Sequence, residues 1–513
     1  MTASVASNQD GPKAVEHVVI VGGGTAGWMT AAGLASMLGP AGLKVTLVES
    51  EAIGIVGVGE ATLPHIKQFN DAIGVDEAEF MAATSATFKL GIEFVDWGRK
   101  GDSYIHPFGE FGLPNQGVAF HQYWRKFADR PDTPALEEFS LPVLAARAAK
   151  FQPPSQDPRS VLSTYRYAYQ FDALQYAPFM RKHAEARGVD RIEGKVTSVS
   201  QDSETGDILS VTLENGQQVA GDLFVDCTGF FGLLTEKTLA TGYDEWTRWL
   251  PCDRAVAAPC KNAGPLLPYT RATADSAGWR WRIPLQHRTG NGHVYSSGFI
   301  SDEDAQTSLV DNLEGDLLAD PRILRFVTGK RRKLWNRNCV AIGLSAGFLE
   351  PLESTSIYLI QEGITKLLEL FPAHRDCATE TAEYNRRMDL EFERIRDFLI
   401  LHYHATERDD SDFWNTMRTM KVPDSLTEKM ELFRAHGHVA RYDHGLFLVP
   451  SWVAVMIGQR MVPNTYDWRV DRVAEGDIKR NLAGLRDHML KAVDQMQGHE
   501  QFLHTHNMTQ SAT

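Results

Sequence analysis

The sequence predicts an α/β fold, and three neighbouring segments carry that prediction. His17-Val18-Val19-Ile20-Val21 is a short β-branched run that stops at a cluster of glycines. Residues 26–38 are rich in Ala, Leu and Met, and Lys44-Val45-Thr46-Leu47-Val48-Glu49 is a second apolar run. A buried strand, a helix and another buried strand in this order form a βαβ unit with parallel strands.

Later segments extend this pattern. Residues 194–226 are rich in strand-forming residues, and Glu214-Asn215-Gly216 is typical of a hairpin turn. The runs 223–227 and 339–343 each have the composition of a buried strand that ends near a glycine. From Leu359 to the end, the hydrophobic pattern is mostly helical.

Composition restricts the class of partner. The chain has 513 residues, enough for a large core, and a formal net charge of -14, which disfavours a nucleic-acid partner. Its five cysteines are scattered without CxxC spacing, which is typical of free thiols in a reducing cytoplasm. We find no apolar signal-peptide core and no apolar run of the ~20 residues that span a bilayer. We therefore expect a cytoplasmic protein without a membrane partner.

The glycine cluster Gly22-Gly23-Gly24-Thr25-Ala26-Gly27 lies between the first strand and the helix. In such turns the first glycine permits the tight turn, the second admits a pyrophosphate, and the third allows close helix–strand packing. The helix start at Thr25 and Ala26 attracts phosphate charge, and Glu49 can accept hydrogen bonds from a ribose. The motif alone is a weak signal, but this context predicts a Rossmann-like dinucleotide site.

A second small-residue stretch, Gly57-Val58-Gly59-Glu60-Ala61-Thr62, follows shortly after Glu49. We interpret it as a strap against the cofactor, with Gly59 and Ala61 in contact, which favours FAD over NAD. Taken alone, the stretch is equally consistent with an ordinary loop.

Three further segments resemble the flavin-dependent tryptophan halogenases, two-component enzymes that use reduced FAD. They are Trp279-Arg280-Trp281-Arg282-Ile283-Pro284, Phe88-Lys89-Leu90-Gly91-Ile92 and Pro351-Leu352-Glu353-Ser354-Thr355-Ser356-Ile357. With the glycine turn and the strap, the resemblance runs from about residue 16 to about residue 465. It implies an FAD-binding module of the flavin-monooxygenase type and electrophilic halogenation of an aromatic substrate.

The resemblance implies two catalytic residues, Lys89 and Glu353. In the family, reduced FAD and O2 form a hydroperoxide, halide attacks it, and hypohalous acid travels to the lysine. Lys89 has apolar neighbours, so its ammonium could hold hypohalous acid or its neutral amine could form a haloamine. Without this context, both residues have bland interpretations: a lysine at the end of a strand, and an acid at a helix N-terminus.

The resemblance also implies the other contacts. The halide, chloride or bromide, is expected at the amides of Thr355 and Ser356, where tryptophan-specific members carry glycine in place of Ser356. His106, Pro107 and Phe108 are expected against the aromatic substrate. Further FAD contacts are expected at Val196, Gly343, Leu344 and Ile357. Trp279 and Trp281, which alternate as residues on one face of a strand do, are expected to be structural.

The sequence departs from the family at the substrate lid. Residues 444–452 are apolar and lack the paired aromatics and acid that clamp the amino and carboxyl groups of tryptophan. Since an unpaired buried charge is costly, we expect free indole or another electron-rich arene as substrate. We expect bromide to react better than chloride. The sequence leaves the substrate and the oligomeric state open, a homodimer included.

The sequence predicts neither a metal site nor a second nucleotide site. His402 and His404 do not predict a metal site, because residues two apart on a helix point in different directions. No second motif for NAD(P)H is present, so a separate, diffusible NAD(P)H-dependent flavin reductase is expected to supply reduced FAD. The alternatives are a flavin-dependent aromatic hydroxylase and, from another class, a flavin-binding protein without turnover.

The order of these segments predicts a discontinuous module arrangement. We expect disordered ends at 1–15 and 498–513, an FAD-binding module of 16–115, 155–235 and 335–385, and a mainly helical substrate-side module of 236–334 and 386–497.

Overall fold

The computed structural model describes residues 14–53, 59–440 and 445–509. Its central feature is a six-stranded sheet that contains the predicted opening strands. All neighbouring pairs in this sheet are parallel except the outermost pair that Trp335–Asn336 forms. In spatial order the strands are Trp335–Asn336, Cys339–Ala341, Leu223–Asp226, His17–Val21, Lys44–Glu49 and Asp190–Glu193.

The predicted βαβ opening is confirmed. The first strand is His17–Val21, the helix is Thr25–Leu38, and the second strand is Lys44–Glu49. The helix buries most of its first two turns because both the sheet and the helix Thr355–Glu369 cover it. Burial on several sides explains why the segment carries little amphipathic pattern.

A second sheet of seven strands lies beside the first. Its strands, in spatial order, are Arg322–Arg325, Arg254–Cys260, Thr289–Tyr295, Gly278–Pro284, Thr270–Ala274, Gly91–Val95 and Ser103–Pro107. The expectation of a mainly helical module is therefore wrong for 236–334, although 386–497 is helical. Strands such as Thr289–Tyr295 (TGNGHVY) are fully buried yet poor in large apolar residues, so they show no clear alternation.

This sheet also crosses a predicted module boundary. Residues 91–107 were assigned to the FAD-binding module, but Gly91–Val95 pairs in parallel with Thr270–Ala274. Pairing between segments so far apart in the chain leaves no local signal in the sequence.

Four small sheets complete the strands. They are Gly59–Ala61, Ala168–Asp172 and Thr87–Lys89; Val196–Gln201, Ile208–Leu213 and Gln218–Ala220; Tyr243–Glu245, Gly329–Arg331 and Gly347–Phe348; and Lys150–Phe151 with Gln497–Gly498. The predicted hairpin at 214–216 joins Ile208–Leu213 to Gln218–Ala220 and is confirmed.

Helices cover both large sheets and dominate the last third of the chain. The α-helices are Thr25–Leu38, His65–Ala72, Glu77–Ala83, Phe120–Arg125, Leu141–Arg147, Ala173–Glu185, Asp302–Asp311, Thr355–Glu369, Ala378–His404, Asp412–Thr419, Asp424–His436, Val449–Gly458, Glu475–Gln495 and His499–Thr505. None of the helices in the described ranges is both long and apolar enough to cross a membrane.

The chain ends differ from their predicted disorder. Ala14 forms a β-bridge with His374, while residues 1–13 lie outside the described ranges. The tail predicted to be disordered from 498 instead forms the helix His499–Thr505 and buries Phe502 and Leu503. Most residues of the tail are polar, so the sequence did not predict that Phe502 and Leu503 would be buried. Residues 510–513 lie outside the described ranges.

Candidate active site

The glycine turn has the shape of a dinucleotide cradle. Gly22 has φ of 112°, and a Cβ on Gly27 would lie 1.8 Å from the Gly22 carbonyl oxygen. A Cβ on Gly24 would meet no atom of the described residues within 4 Å, so they leave the space above the turn open. The helix Thr25–Leu38 starts at Gly24 without a side-chain cap, which leaves its first N–H groups available to a phosphate.

Glu49 lies at the end of the adjacent strand, as the ribose prediction requires. Its carboxylate accepts hydrogen bonds from Trp28 Nε1 at 3.2 Å and from the Arg191 guanidinium. A carboxylate has about four acceptor positions, so lone pairs remain for a ribose.

Gly343, another predicted flavin contact, lies beside this cradle. Gly343 packs against the start of the same helix: its φ is 79°, and a Cβ there would lie 2.6 Å from Ala26 Cβ. Gly59 and Ala61 belong to a strand at the substrate side, whereas Gly57 and Val58 of the predicted strap lie outside the described ranges. The open helix start, the glycine packing and Glu49 fit a dinucleotide such as FAD.

Lys89 is completely buried at the end of the strand Thr87–Lys89. Its ammonium donates to the Thr62 carbonyl at 3.1 Å and to Ser354 Oγ at 2.7 Å, and it lies 5.2 Å from the centroid of the Phe108 ring. Burial lowers the pKa of Lys89 to about 7, although the negative charge of Glu353 opposes this shift. Lys89 therefore exchanges between amine and ammonium near neutral pH.

Glu353 is equally buried and is held by two histidines. His106 Nδ1 donates to its two oxygens at 3.0 and 2.9 Å, and His402 Nε2 donates to one of them at 2.8 Å. Burial alone would raise the pKa of Glu353, but the attraction of His106 and the hydrogen bonds from both histidines outweigh it and lower the pKa to about 2. Glu353 is a carboxylate throughout the physiological range.

His402 is a partner of Glu353 that the sequence did not predict. Its Nδ1 lies 2.8 Å from the Phe398 carbonyl, and its Nε2 faces the Glu353 carboxylate. Both of these oxygens can accept a hydrogen bond from the ring, and together they fix its orientation beside Glu353. Its neighbour His404 turns away and bonds the Met417 carbonyl. The His-x-His pattern drew attention to His402, but the sequence did not indicate that His402 would lie beside Glu353.

The helix Thr355–Glu369 begins directly beside Lys89 and Glu353. Ser354, its first cap residue, has φ of 58° and offers no side-chain cap, so the amides of Thr355 and Ser356 lack one. Thr355 Oγ1 is buried and has no hydrogen-bond partner within the described chain. An uncapped helix N-terminus with an unpaired hydroxyl suits a small anion such as a halide.

Aromatic side chains enclose the other side of this centre. His106 and Phe108 both belong to the predicted substrate segment, residues 106–108. Phe447 stacks on Phe398 with centroids 3.9 Å apart and lies 6.2 Å from the His106 ring, and Trp452 meets Phe398 edge-on at 4.9 Å. Such walls fit a flat arene. Phe398 was not predicted, because it lies on the long helix Ala378–His404 and meets Phe447 only in the folded chain.

The two tryptophans predicted to be structural lie on the buried strand Gly278–Pro284, with ring centroids 6.2 Å apart. Trp279 Nε1 is buried without a hydrogen bond, as are both carboxyl oxygens of Glu350 within the described chain. Tyr403 and Cys252 also surround Glu350, and burial raises the pKa of Glu350 to about 7. Glu350 therefore exchanges its proton near neutral pH.

These features define a class of protein. The six-stranded sheet carries a cradle for a dinucleotide. A second centre combines a buried lysine, a buried carboxylate and a helix start that suits an anion. This combination is typical of a cofactor-dependent enzyme whose chemical centre is separate from the phosphate site.

Comparisons with known proteins narrow this class. The profile of the tryptophan halogenase family matches residues 17–475. A flavin-dependent halogenase from Xanthomonas campestris has a similar structure, with a TM-score of 0.94, 44% identity and coverage of 98% of this chain and 100% of that one. BrvH, a flavin-dependent halogenase from Brevundimonas sp. BAL3, has a TM-score of 0.93 and 45% identity, and the match covers 96% and 99% of the two chains. The tryptophan 6-halogenase SttH of Streptomyces toxytricini is 37% identical over 86% of this chain and 89% of its own length.

The chain belongs to the tryptophan halogenase family. It is a flavin-dependent halogenase, an oxidoreductase that uses reduced FAD, O2 and a halide. Enzymes of this kind typically take reduced flavin from a separate reductase and act on an aromatic substrate. The α/β fold predicted from the sequence is confirmed.

Proposed function

We propose that this enzyme halogenates free indole or a similarly small, electron-rich arene, with Lys89 and Glu353 as its catalytic residues. The observation that carries the proposal is the buried pair itself: Lys89 and Glu353 meet across Ser354, beside an uncapped helix start. Gly22, Gly24, Gly27 and Glu49 would hold the FAD. When bound in reduced form, the flavin supplies hypohalous acid from O2 and halide.

Lys89 would present the halogen to the substrate. Its ammonium can donate a hydrogen bond to the oxygen of hypohalous acid, so that the arene attacks the halogen, the oxygen–halogen bond breaks, and the oxygen leaves as water with the ammonium proton. Alternatively, the neutral amine takes the halogen from hypohalous acid and releases water. The arene then takes the halogen from nitrogen, and the nitrogen regains a proton to balance the one that the ring loses as it becomes aromatic again. A pKa near 7 makes both forms available.

Glu353 would stabilise the ring cation that halogen addition creates. Its carboxylate is charged and buried, so its field is little screened by water. A carboxylate with a pKa of about 2 is a weak base, but a protonated arene is a far stronger acid, so Glu353 can still take the ring proton. His106 and His402 hold the carboxylate in place.

The halide would bind at the amides of Thr355 and Ser356, with Thr355 Oγ1 as an additional donor. The backbone donor is unaffected by a serine at 356. The site can accept chloride or bromide. Because bromide is oxidised more easily than chloride, we expect bromination to be faster.

The lid region supports an uncharged substrate. Its described part contributes the apolar Phe447 and Trp452. The Glu391 carboxylate beside it already accepts hydrogen bonds from Tyr358 OH at 2.8 Å and from the Leu446 N–H at 3.1 Å. None of the described lid residues 445–452 has a charged side chain, so a zwitterionic amino acid would lose hydration without gaining an ionic partner from them.

A competition assay tests this proposal. The enzyme, FAD, a flavin reductase, NADH and bromide or chloride are incubated in air with equal amounts of indole and tryptophan, and products are identified by mass. We expect haloindole to exceed halotryptophan. A clear preference for tryptophan would refute the substrate assignment, oxygen insertion without halide would indicate a hydroxylase, and no product from a wide panel of arenes would favour a flavin-binding protein without turnover.

A further inference from the structure

The end of the chain packs against the strand that carries Lys89. Gln497–Gly498 pairs with Lys150–Phe151, and the helix His499–Thr505 begins immediately afterwards. The His499 N–H donates to the Ala149 carbonyl at 2.9 Å, which fixes the start of this helix. The helix thus reaches the Lys89 strand on the side opposite to the Lys89 ammonium.

The strand Thr87–Lys89 is the edge of its small sheet, so the N–H of Phe88 has no strand partner there. His499 fills this gap. The Phe88 N–H donates to His499 Nε2 at 3.1 Å, and His499 Nδ1 donates to the Leu266 carbonyl at 2.8 Å. Two residues further along, the Leu90 N–H bonds the Pro268 carbonyl directly at 2.7 Å.

The imidazole of His499 is therefore inserted between the strand edge and the loop that contains Leu266 and Pro268. The imidazole bridges Phe88 and Leu266, whereas Leu90 and Pro268 are joined by a direct backbone hydrogen bond. Its protonation is fixed by its partners: Nε2 faces a donor and must accept, and Nδ1 faces a carbonyl and must donate. The ring is 1% exposed, so each bond is shielded from water.

Aromatic packing also holds Phe88, the residue whose N–H bonds His499. The Phe88 ring stacks on Phe151 with centroids 3.8 Å apart and meets Phe502 of the last helix at 5.7 Å. Since successive strand residues point to opposite faces, a shift of Phe88 displaces Lys89 from Thr62 and Ser354.

We propose that His499 is a positioning residue for Lys89: its imidazole sets the register between the Lys89 strand and the loop 266–268, and so the place of the ammonium. This inference rests on the proposed role of Lys89. A displacement of about 1 Å from the reacting geometry is enough to lower a rate by roughly 100-fold.

Two substitutions separate positioning from general stability. His499→Leu removes both hydrogen bonds but keeps an apolar side chain. His499→Gln keeps one acceptor and one donor on a planar group. We expect His499→Leu to lower kcat for arene halogenation by about 10- to 100-fold, with KM for the arene and FAD affinity unchanged, and His499→Gln to restore most of kcat. The exposed His504 on the same helix gives a matched control, His504→Leu, which should match the parent enzyme.

The outcomes distinguish this inference from the proposed function. Lys89→Ala is measured in parallel, with thermal unfolding of every variant. If Lys89→Ala is inactive and His499→Leu keeps full kcat while folded, the positioning role is wrong. If Lys89→Ala keeps full activity, the proposed role of Lys89 is wrong. A fall in FAD affinity and arene affinity together with kcat in His499→Leu, without recovery in His499→Gln, would show a structural role only and overturn the inference.

Discussion

Burial has opposite outcomes at Lys89 and Glu353. Desolvation lowers the pKa of Lys89 to about 7, because only Glu353 opposes it. The same desolvation is overcome at Glu353, because two histidines donate to its carboxylate, and the pKa falls to about 2. The site therefore combines a group that changes charge near neutral pH with an anion that does not.

Removal of Lys89 should abolish halogenation but leave the cofactor bound. We expect Lys89→Ala to lower product formation by at least about 100-fold, since the halogen loses its carrier, while FAD binding measured by fluorescence is unchanged. Lys67→Ala, which removes a lysine paired with Asp71 on the helix His65–Ala72, is the control. Substantial product from Lys89→Ala would contradict the mechanism.

The pH dependence should report the state of Lys89. We expect kcat to change as the pH passes through about 7. A rise would identify the neutral amine as the reactive form, and a fall would identify the ammonium. A kcat that is flat between pH 6 and 8 would contradict a direct role for this group.

Glu350 should limit stability above neutral pH. Its folded pKa is raised from 4.5 to about 7, so the folded protein holds the proton that the unfolded chain releases, and stability is lost as the pH rises from about 4.5 to about 7. Glutamine cannot ionise. We expect Glu350→Gln to gain free energy of unfolding relative to the parent between pH 5 and 8, by up to about 3 kcal/mol at roughly 1.4 kcal/mol for each pKa unit.

Chemical denaturation at several pH values measures this difference. The exposed Glu428 provides the control Glu428→Gln, which should show no such trend. A constant difference between Glu350→Gln and the parent would mean that Glu350 does not titrate in this range.

At the scale of the element, two uncapped helix N-termini suit two different anions. The helix Thr25–Leu38 begins at a glycine turn with open space for a phosphate, and Thr355–Glu369 begins at Ser354 beside the buried Lys89. Both starts lack a side-chain cap, so their N–H groups can bind an anion from outside the chain. One suits a pyrophosphate and the other a single halide.

Glycine substitutions should separate packing from cofactor contact in the first of these turns. A Cβ on Gly27 would collide with the Gly22 carbonyl, whereas one on Gly24 meets no atom of the described residues within 4 Å. We expect Gly27→Ala to lower both thermal stability and FAD affinity, and Gly24→Ala to lower FAD affinity by about 10-fold or more with little change in stability.

Gly39→Ala at the other end of this helix is the control, since its Cβ would also meet open space. Unchanged FAD binding in Gly24→Ala would mean that the pyrophosphate does not lie over this turn. Titration of FAD into each variant, followed by flavin fluorescence, gives the affinities.

At the scale of the whole molecule, the described chain provides one dinucleotide cradle, at the edge of the six-stranded sheet. Flavin-dependent halogenases typically take reduced flavin from a separate reductase. We expect the enzyme to form halogenated product in a single turnover when FAD reduced chemically without air is mixed with it, halide, arene and O2. Neither NAD(P)H nor a reductase should be needed, and a strict requirement for a particular reductase would contradict a diffusible supply.

Much of the architecture was predictable because its signals are local. The strand runs, the glycine turn and Glu49 lie within 33 residues of one another and determine the βαβ opening and the cradle. The segments around Lys89, Trp279 and Glu353 are each continuous, so their family resemblance is visible without coordinates.

The tertiary structure decided what surrounds these segments. The histidine pair around Glu353 joins residues 106, 353 and 402, and His499 reaches a strand 411 residues earlier in the chain. No local pattern encodes such pairings, because they depend on how strands and helices pack. The sequence predicted which groups carry the chemistry. Packing decided their protonation, since the pKa of Lys89 and of Glu353 depends on burial and on partners brought from distant segments.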